Sequence, residues 1–228
     1  MAGLPGMKMR ISLLSRGFWI VVVLLAVCAG VRGALADEST LCKAETAAAE
    51  TAQQLPTHLL SALSVAESGR KDPATKARTA WPWTIHAEGR GQYFSEKDAA
   101  IREVRRLKAN GVRNIDVGCM QVNLAHHPKA FTSLEEAFDP ALNAAYAAKF
   151  LKDLHSRTRS WTQAVAFYHS TTSALNLPYR HKVMAIWGEE IRRASDTRRQ
   201  AVLEKWRQRR QDFAEAQGGV AISAKLAD

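Results

Sequence analysis

The 228-residue sequence predicts a mainly α-helical domain with at most a small β-hairpin. Three observations carry that expectation. Apolar residues recur at helical spacing in most segments beyond residue 37. Pro and Gly punctuate those segments where helices start and stop. Only Trp83 to Phe94, "WTIHAEGRGQYF", places short β-like runs around a glycine-rich turn.

The first 36 residues stand apart from that pattern. Lys8, Arg10 and Arg16 precede an apolar run, Phe18 to Val31. A run of about 14 residues is the length of a signal-peptide core and short for a membrane span. "ALA" at Ala34 to Ala36 fits a cleavage site, so residues 1–36 read as a signal peptide and the mature chain begins at Asp37. Cys28 follows the bulky Val27, which argues against a lipid-modification site. Removing this segment takes away four basic residues and no acid, which lowers the formal charge from +10 to +6. A basic exported protein suits an anionic partner such as a cell-wall polymer or a membrane surface; nucleic acid is not expected.

Two cysteines remain, Cys42 and Cys119. In an oxidising compartment an isolated pair reads as a disulfide; the alternative is two buried free thiols. A bridge would pin the first mature helix to "DVGCMQV" and contribute ~4 kcal/mol in the chain-entropy account.

"TLCKAETAAAETAQQ" is Ala-rich and helical, and Pro56 ends it. "PTHLLSALSVAESG" places Pro at its start and Gly69 at its end, the asymmetry of a short helix. Leu59, Leu60, Leu63 and Ala66 form its apolar face, and Glu67 lies beside that face in the last turn. A carboxylate there opposes the helix dipole, which suggests a purpose other than stability. Ser95, with Asp98 three residues on, predicts the cap of a helix that stops at Gly111. "IDVGCMQVNL" is short and apolar. Helices follow from Pro140, where Leu142, Tyr146, Phe150 and Leu154 recur, and again over "WTQAVAFYHS" and "PYRHKVMAIWGEEI". Residues 37–188 thus form the domain, and 189–228 a basic C-terminal helix or tail whose last stretch, "GGVAISAKLAD", is expected to be loose.

Three motifs come in order: "ESG" at Glu67 to Gly69, "GCMQVN" at Gly118 to Asn123, and "AVAFYHS" at Ala164 to Ser170. Together they resemble the lytic transglycosylases with a soluble-lytic-transglycosylase, goose-type lysozyme-like domain. The resemblance covers roughly Cys42 to Trp187. It implies a lysozyme-like fold and an exported enzyme that cleaves the MurNAc–GlcNAc β-1,4 bond of peptidoglycan, leaving a 1,6-anhydro end. It implies Glu67 as the sole catalytic acid/base. It also implies a substrate-binding set of Ser68, Met120, Gln121, Asn123 and Tyr168: Ser68 orients the substrate or Glu67, Met120 and Gln121 line the cleft facing the sugar, Asn123 holds the turn, and the Tyr168 hydroxyl approaches the carboxylate. Cys119 stands where that pattern has Leu, and His169 where it has Asn.

The chemistry agrees with those roles. A glycosidic bond breaks when a proton reaches the leaving oxygen, and a carboxyl holds that proton near neutral pH only where its surroundings raise its pKa. A hydrolytic muramidase would need a second carboxylate. Asp116 is the first candidate and Glu88 the weaker one, with a turn-stabilising role the preferred reading of Asp116. A non-catalytic wall-binding module of an envelope assembly is a third possibility.

Trp83, with Trp81 and Tyr93, is a candidate sugar-stacking residue; core packing accounts for each equally well. His126 and His127 are adjacent and do not have metal-ligand spacing, so neither a metal nor a cofactor is expected. General wall turnover and opening of the wall for an envelope-spanning secretion or flagellar assembly call for the same cleft, and the sequence does not choose between them.

Overall fold

A computed structural model describes residues 38–71 and 76–225. The signal-peptide reading and Cys28 lie outside the described residues. The chain runs α1 (Glu38–Gln53), α2 (Leu59–Ser68), β1 (Gly69–Lys71), β2 (Arg78–Ala80), β3 (Thr84–Ala87) and β4 (Arg90–Tyr93). It continues through α3 (Lys97–Ala109), β5 (Ile115–Val117), β6 (Val122–Asn123), α4 (Leu134–Ala137), α5 (Pro140–Thr158), α6 (Trp161–His169) and α7 (Ser173–Lys225). This is a mainly α, lysozyme-like architecture.

The β excursion is larger than one hairpin. β3 and β4 pair antiparallel, as expected, but β5 joins the other edge of β3 and β6 pairs with β5, giving the order β4-β3-β5-β6. Both added strands come from "IDVGCMQVNL". Its alternation is too short to announce strands; pairing of β5 with β3, and of β6 with β5, makes them. β1 and β2 form a separate antiparallel pair beyond α2.

Two apolar cores support the two sides of the molecule. One lies among α1, α2, α5, α6 and the start of α7, built on Leu59, Leu60, Leu63, Leu151, Val165 and Val183. The other lies beneath the four-stranded sheet, where Ile85, Ile115 and Val117 meet Ile101 and Val104 of α3 and Phe138. Cys42 and Cys119 form the disulfide, with Cα atoms 5.5 Å apart, tying α1 to the β5–β6 turn.

Local signals explain most boundaries; two boundaries and one buried face differ from expectation. α2 begins at Leu59 rather than near Pro56, because its start is capped from elsewhere. His58 adopts a left-handed conformation, and the buried Glu50 of α1 accepts hydrogen bonds from the backbone N–H groups of His58, Leu60 and Ser61. α3 begins at Lys97 with Glu96 as N-cap, so Ser95 does not cap it. In α5 the face turned inward is Asn143, Ala144, Ala147, Ala148, Leu151 and Leu154, while Leu142 is exposed. Small residues there allow α1 and α5 to pack closely. Asp139 caps α5 through the N–H groups of Ala141 and Leu142, with Pro140 at its first position.

α7 is continuous for 53 residues, about 80 Å at 1.5 Å per residue. Its first turns pack on α2 and α6. The segment expected to be loose, from Gly218, continues the helix as far as Lys225.

Candidate active site

A cleft of about 870 Å³ opens between the helical core and the four-stranded sheet. Glu67 stands on the helical wall and Asp116 on the sheet wall.

The mount of Glu67 is built from the end of α2. Gly69 stops the helix, and a Cβ at that position would lie 2.2 Å from the Val65 carbonyl oxygen, so the close approach itself demands glycine. The carbonyls left open at this end are collected by neighbours. Trp81 N–H donates to Ser68 O, Lys182 Nζ donates to Ala66 O at 2.6 Å, and Arg78 and the Tyr93 hydroxyl donate to Gly69 O. The two cations suit the negative end of the helix dipole.

Glu67 keeps partial exposure toward the cleft, yet burial is the largest influence on its carboxyl and pushes its pKa up to about 7. The charge of Asp116 pushes in the same direction. A hydrogen bond from the Tyr179 hydroxyl to Oε1 and the charge of Lys182 oppose it without overcoming the burial. Tyr179 is itself held: its ring stacks on His169 at 4.4 Å between centroids, 9° from parallel. Burial and the neighbouring Glu67 charge hold both the Tyr168 and Tyr179 hydroxyls well above their ordinary pKa, so each remains a donor. Burial also lowers the Lys182 pKa, with the nearby carboxylate pulling it back up.

The opposite wall depends on the turn between β5 and β6. Gly118 has φ +81°, and an added Cβ would lie 2.5 Å from the Asn143 amide. Asn143, fully buried on α5, grips this turn. Its Oδ1 accepts from Met120 N–H, and its Nδ2 donates to the Val117 and Ala137 carbonyls. Gln121 takes a left-handed conformation, φ +47°, and its Nε2 donates to the Thr84 and Gly118 carbonyls. Asn123 donates to Asp116 Oδ1 at 2.6 Å and accepts from the N–H groups of Ala125 and His126. Asp116 Oδ2 also faces His86 Nδ1 at 3.4 Å.

The predicted site residues thus divide. Glu67, Gln121, Asn123 and Tyr168 line the cleft. Ser68, Met120 and Trp83 are buried and do not line it. Ser68 Oγ donates to Cys119 O at 2.7 Å, joining the end of α2 to the β5–β6 turn. Met120 faces the core, and its backbone carbonyl accepts from the Tyr168 hydroxyl at 3.0 Å. The tyrosine hydrogen-bonded to the carboxylate is therefore Tyr179, not Tyr168. Trp83 packs in the core beneath the sheet, as does Trp81, whose indole donates to Phe94 O. Tyr93 is the aromatic of that group that reaches the cleft. Asp116 occupies a strand rather than a turn and does reach the cleft, whereas exposed Glu88 sits in the β3–β4 turn outside it. His126, His127 and His169 are also on its lining. No group of His, Cys, Asp and Glu among the described residues is arranged to hold a metal ion.

Sequence reasoning missed Tyr179, Lys182, Asn143 and Glu50. Tyr179 had a signal, since it begins an inward stripe continued by Val183 and Ile186. Asn143 had one too, as a polar residue among the small apolar residues that face the core of α5. Lys182 acts on a backbone carbonyl 116 residues away, and Glu50 caps the start of the helix after its own; neither has one.

The partly exposed Glu67 carboxyl of raised pKa, on a helix end across a cleft from a small sheet, is the candidate site of this lysozyme-like domain. The transglycosylase SLT domain family model matches residues 45–182, more than half of the chain, and the chain belongs to that family. Comparisons with curated proteins and with solved structures return no match.

Proposed function

We propose that this protein is an exported lytic transglycosylase that cleaves the β-1,4 bond between N-acetylmuramic acid and N-acetylglucosamine in peptidoglycan. The observation that carries the reading is the Glu67 carboxyl, held at a pKa of about 7 in the cleft of a transglycosylase SLT domain. At that value a substantial fraction is protonated near neutral pH and can donate to the leaving glycosidic oxygen. As the bond to C1 breaks, the 6-hydroxyl of the muramic acid attacks C1 and the Glu67 carboxylate takes its proton. The product is a 1,6-anhydro end, and the acid is regenerated. Tyr179 positions the carboxyl through its hydrogen bond, and Lys182 steadies the anion formed after proton donation. Gln121, Asn123, Tyr168 and Tyr93 offer polar and aromatic surface to the glycan.

A second reading, hydrolysis, rests on Asp116, which lines the same cleft. A base on the far side of the sugar would activate water. Against it, the two Asp116 oxygens are engaged by Asn123 and His86, which suits a group that braces the sheet wall. Mass spectrometry of the products from purified sacculi tests the choice: anhydro-muropeptides are expected, and reducing ends alone would assign hydrolysis.

A further inference from the structure

Beyond the domain, α7 carries an exposed helix that the cleft does not use. Trp187 is the last residue tying it to the core, through its indole N–H and Thr57 O at 2.9 Å. From Ser195 to Glu215 every residue is exposed.

At 100° per residue, Ile191, Val202, Phe213 and Trp206 fall within an arc of about 60°. Trp206 and Phe213 are 61% and 65% exposed, unusually open for side chains of that size. Leu203 lies on the rim of this stripe. Arg198, Lys205 and Arg209 fall on or beside one edge of it, and Arg199 and Arg210 beside the other. None of these five cations has an ion pair among the described residues. The acids occupy the remaining face, where Arg193 pairs with Glu189 and Glu190, and Arg207 with Glu204. The helix is therefore segregated: an apolar stripe edged by uncompensated cations on one side, and a self-neutralised face on the other.

We propose that residues 191–213 of α7 lie in the plane of an anionic phospholipid surface, with Trp206 and Phe213 at the headgroup–acyl boundary and the five cations on lipid phosphates. Aromatic residues edged by Arg and Lys are the composition that such a boundary accepts, because the long cationic stems reach back to the headgroups. A zipper with a second copy fits less well. The heptad that aligns Val202, Trp206 and Phe213 also places Arg199 and Arg209 in the seam, where like charges meet. The helix lies on the surface and does not span it, since no described helix is long and apolar enough to cross a membrane.

The test uses the full chain with vesicles of mixed phosphatidylglycerol and phosphatidylcholine, and with phosphatidylcholine alone. The Trp206 signal is the fluorescence difference between the wild type and Trp206→Phe. The N-terminal apolar run is common to both proteins and cancels. Brominated lipid is expected to quench Trp206 on anionic vesicles only, and high salt to abolish the effect. Arg199→Gln with Arg210→Gln should reduce the quenched fraction by weakening partition on the order of tenfold or more. Circular dichroism checks that the variant helix persists, and Arg198→Gln with Lys205→Gln serves as a second pair. Trp206 unaffected by anionic vesicles, or quenched equally in the variants, would overturn the proposal. So would a Trp206 signal that moves with protein concentration, or on adding an acidic polypeptide, in place of lipid.

Discussion

The two walls of the cleft each present one carboxylate, and the same functional group is treated in opposite ways. Glu67 ends a helix embedded in the apolar core, receives a hydrogen bond from a tyrosine, and has its pKa pushed to about 7. Asp116 lies mid-strand beside an amide and an imidazole, with its side chain 27% exposed. Burial decides the difference. On the helical wall a carboxyl is costly to ionise and retains a proton that it can give away. On the sheet wall the Asp116 side chain is part-exposed and engaged by Asn123 and His86, and its charge reaches Glu67 as a further push toward the protonated form.

The comparison would break most visibly at Glu67. Glu67→Gln should lower glycan cleavage by about 10³-fold or more, from loss of the general acid/base, with the fold intact by circular dichroism. Residual cleavage within tenfold of wild type would move the acid elsewhere.

The same carboxyl predicts a pH dependence of stability. Its pKa is raised from 4.5 to about 7 on folding, so the folded state holds the proton more tightly than the unfolded state. Its contribution is therefore most favourable below pH 4.5 and declines as the pH rises to 7, by up to about 3 kcal/mol, and then stays constant. Urea titrations of wild type and Glu67→Gln at pH 4.5 and 7.5 should show that decline in the wild type and its loss in the variant.

Tyr179→Phe sharpens the account of the helical wall. Its hydrogen bond stabilises the carboxylate, so removing it should raise the pKa of Glu67 further. The descending limb of the pH–rate profile then moves to higher pH, and kcat falls about tenfold through lost positioning. An unshifted limb would deny Tyr179 that role. The smallest effect is expected on the sheet wall. Asp116→Asn keeps a partner for Asn123 and should change kcat only a few-fold, with the anhydro product unchanged; a loss as large as that of Glu67→Gln would establish Asp116 as the base of a hydrolase.

The helical wall was largely legible in the sequence. The leucines of α2 and Gly69 carry their own local signals, and Glu67 stands out as a carboxylate at the wrong end of a helix. The sheet wall was not. β5 and β6 are three and two residues long; β6 pairs only with β5, and the other partner of β5, β3, lies about 30 residues earlier. Met120 was expected to face the sugar and instead faces the core, for a related reason. The motif marks residues close to the chemistry, but not whether a side chain faces the cleft or the core. In this turn Gly118 and the Asn143 clamp turn Met120 inward and leave Gln121 at the surface. Tyr179 reaches Glu67 across 112 residues of sequence, and only the packing of α7 on α2 makes the pair.

The central claim is that burial on the helical wall raises the Glu67 carboxyl to a pKa of about 7, where it can both give and take a proton near neutral pH. Carbon-13 NMR titration of side-chain carboxyls in the labelled protein tests it directly. The resonance that disappears in Glu67→Gln should titrate near pH 7. A Glu67 resonance that titrates below pH 5 would contradict the account.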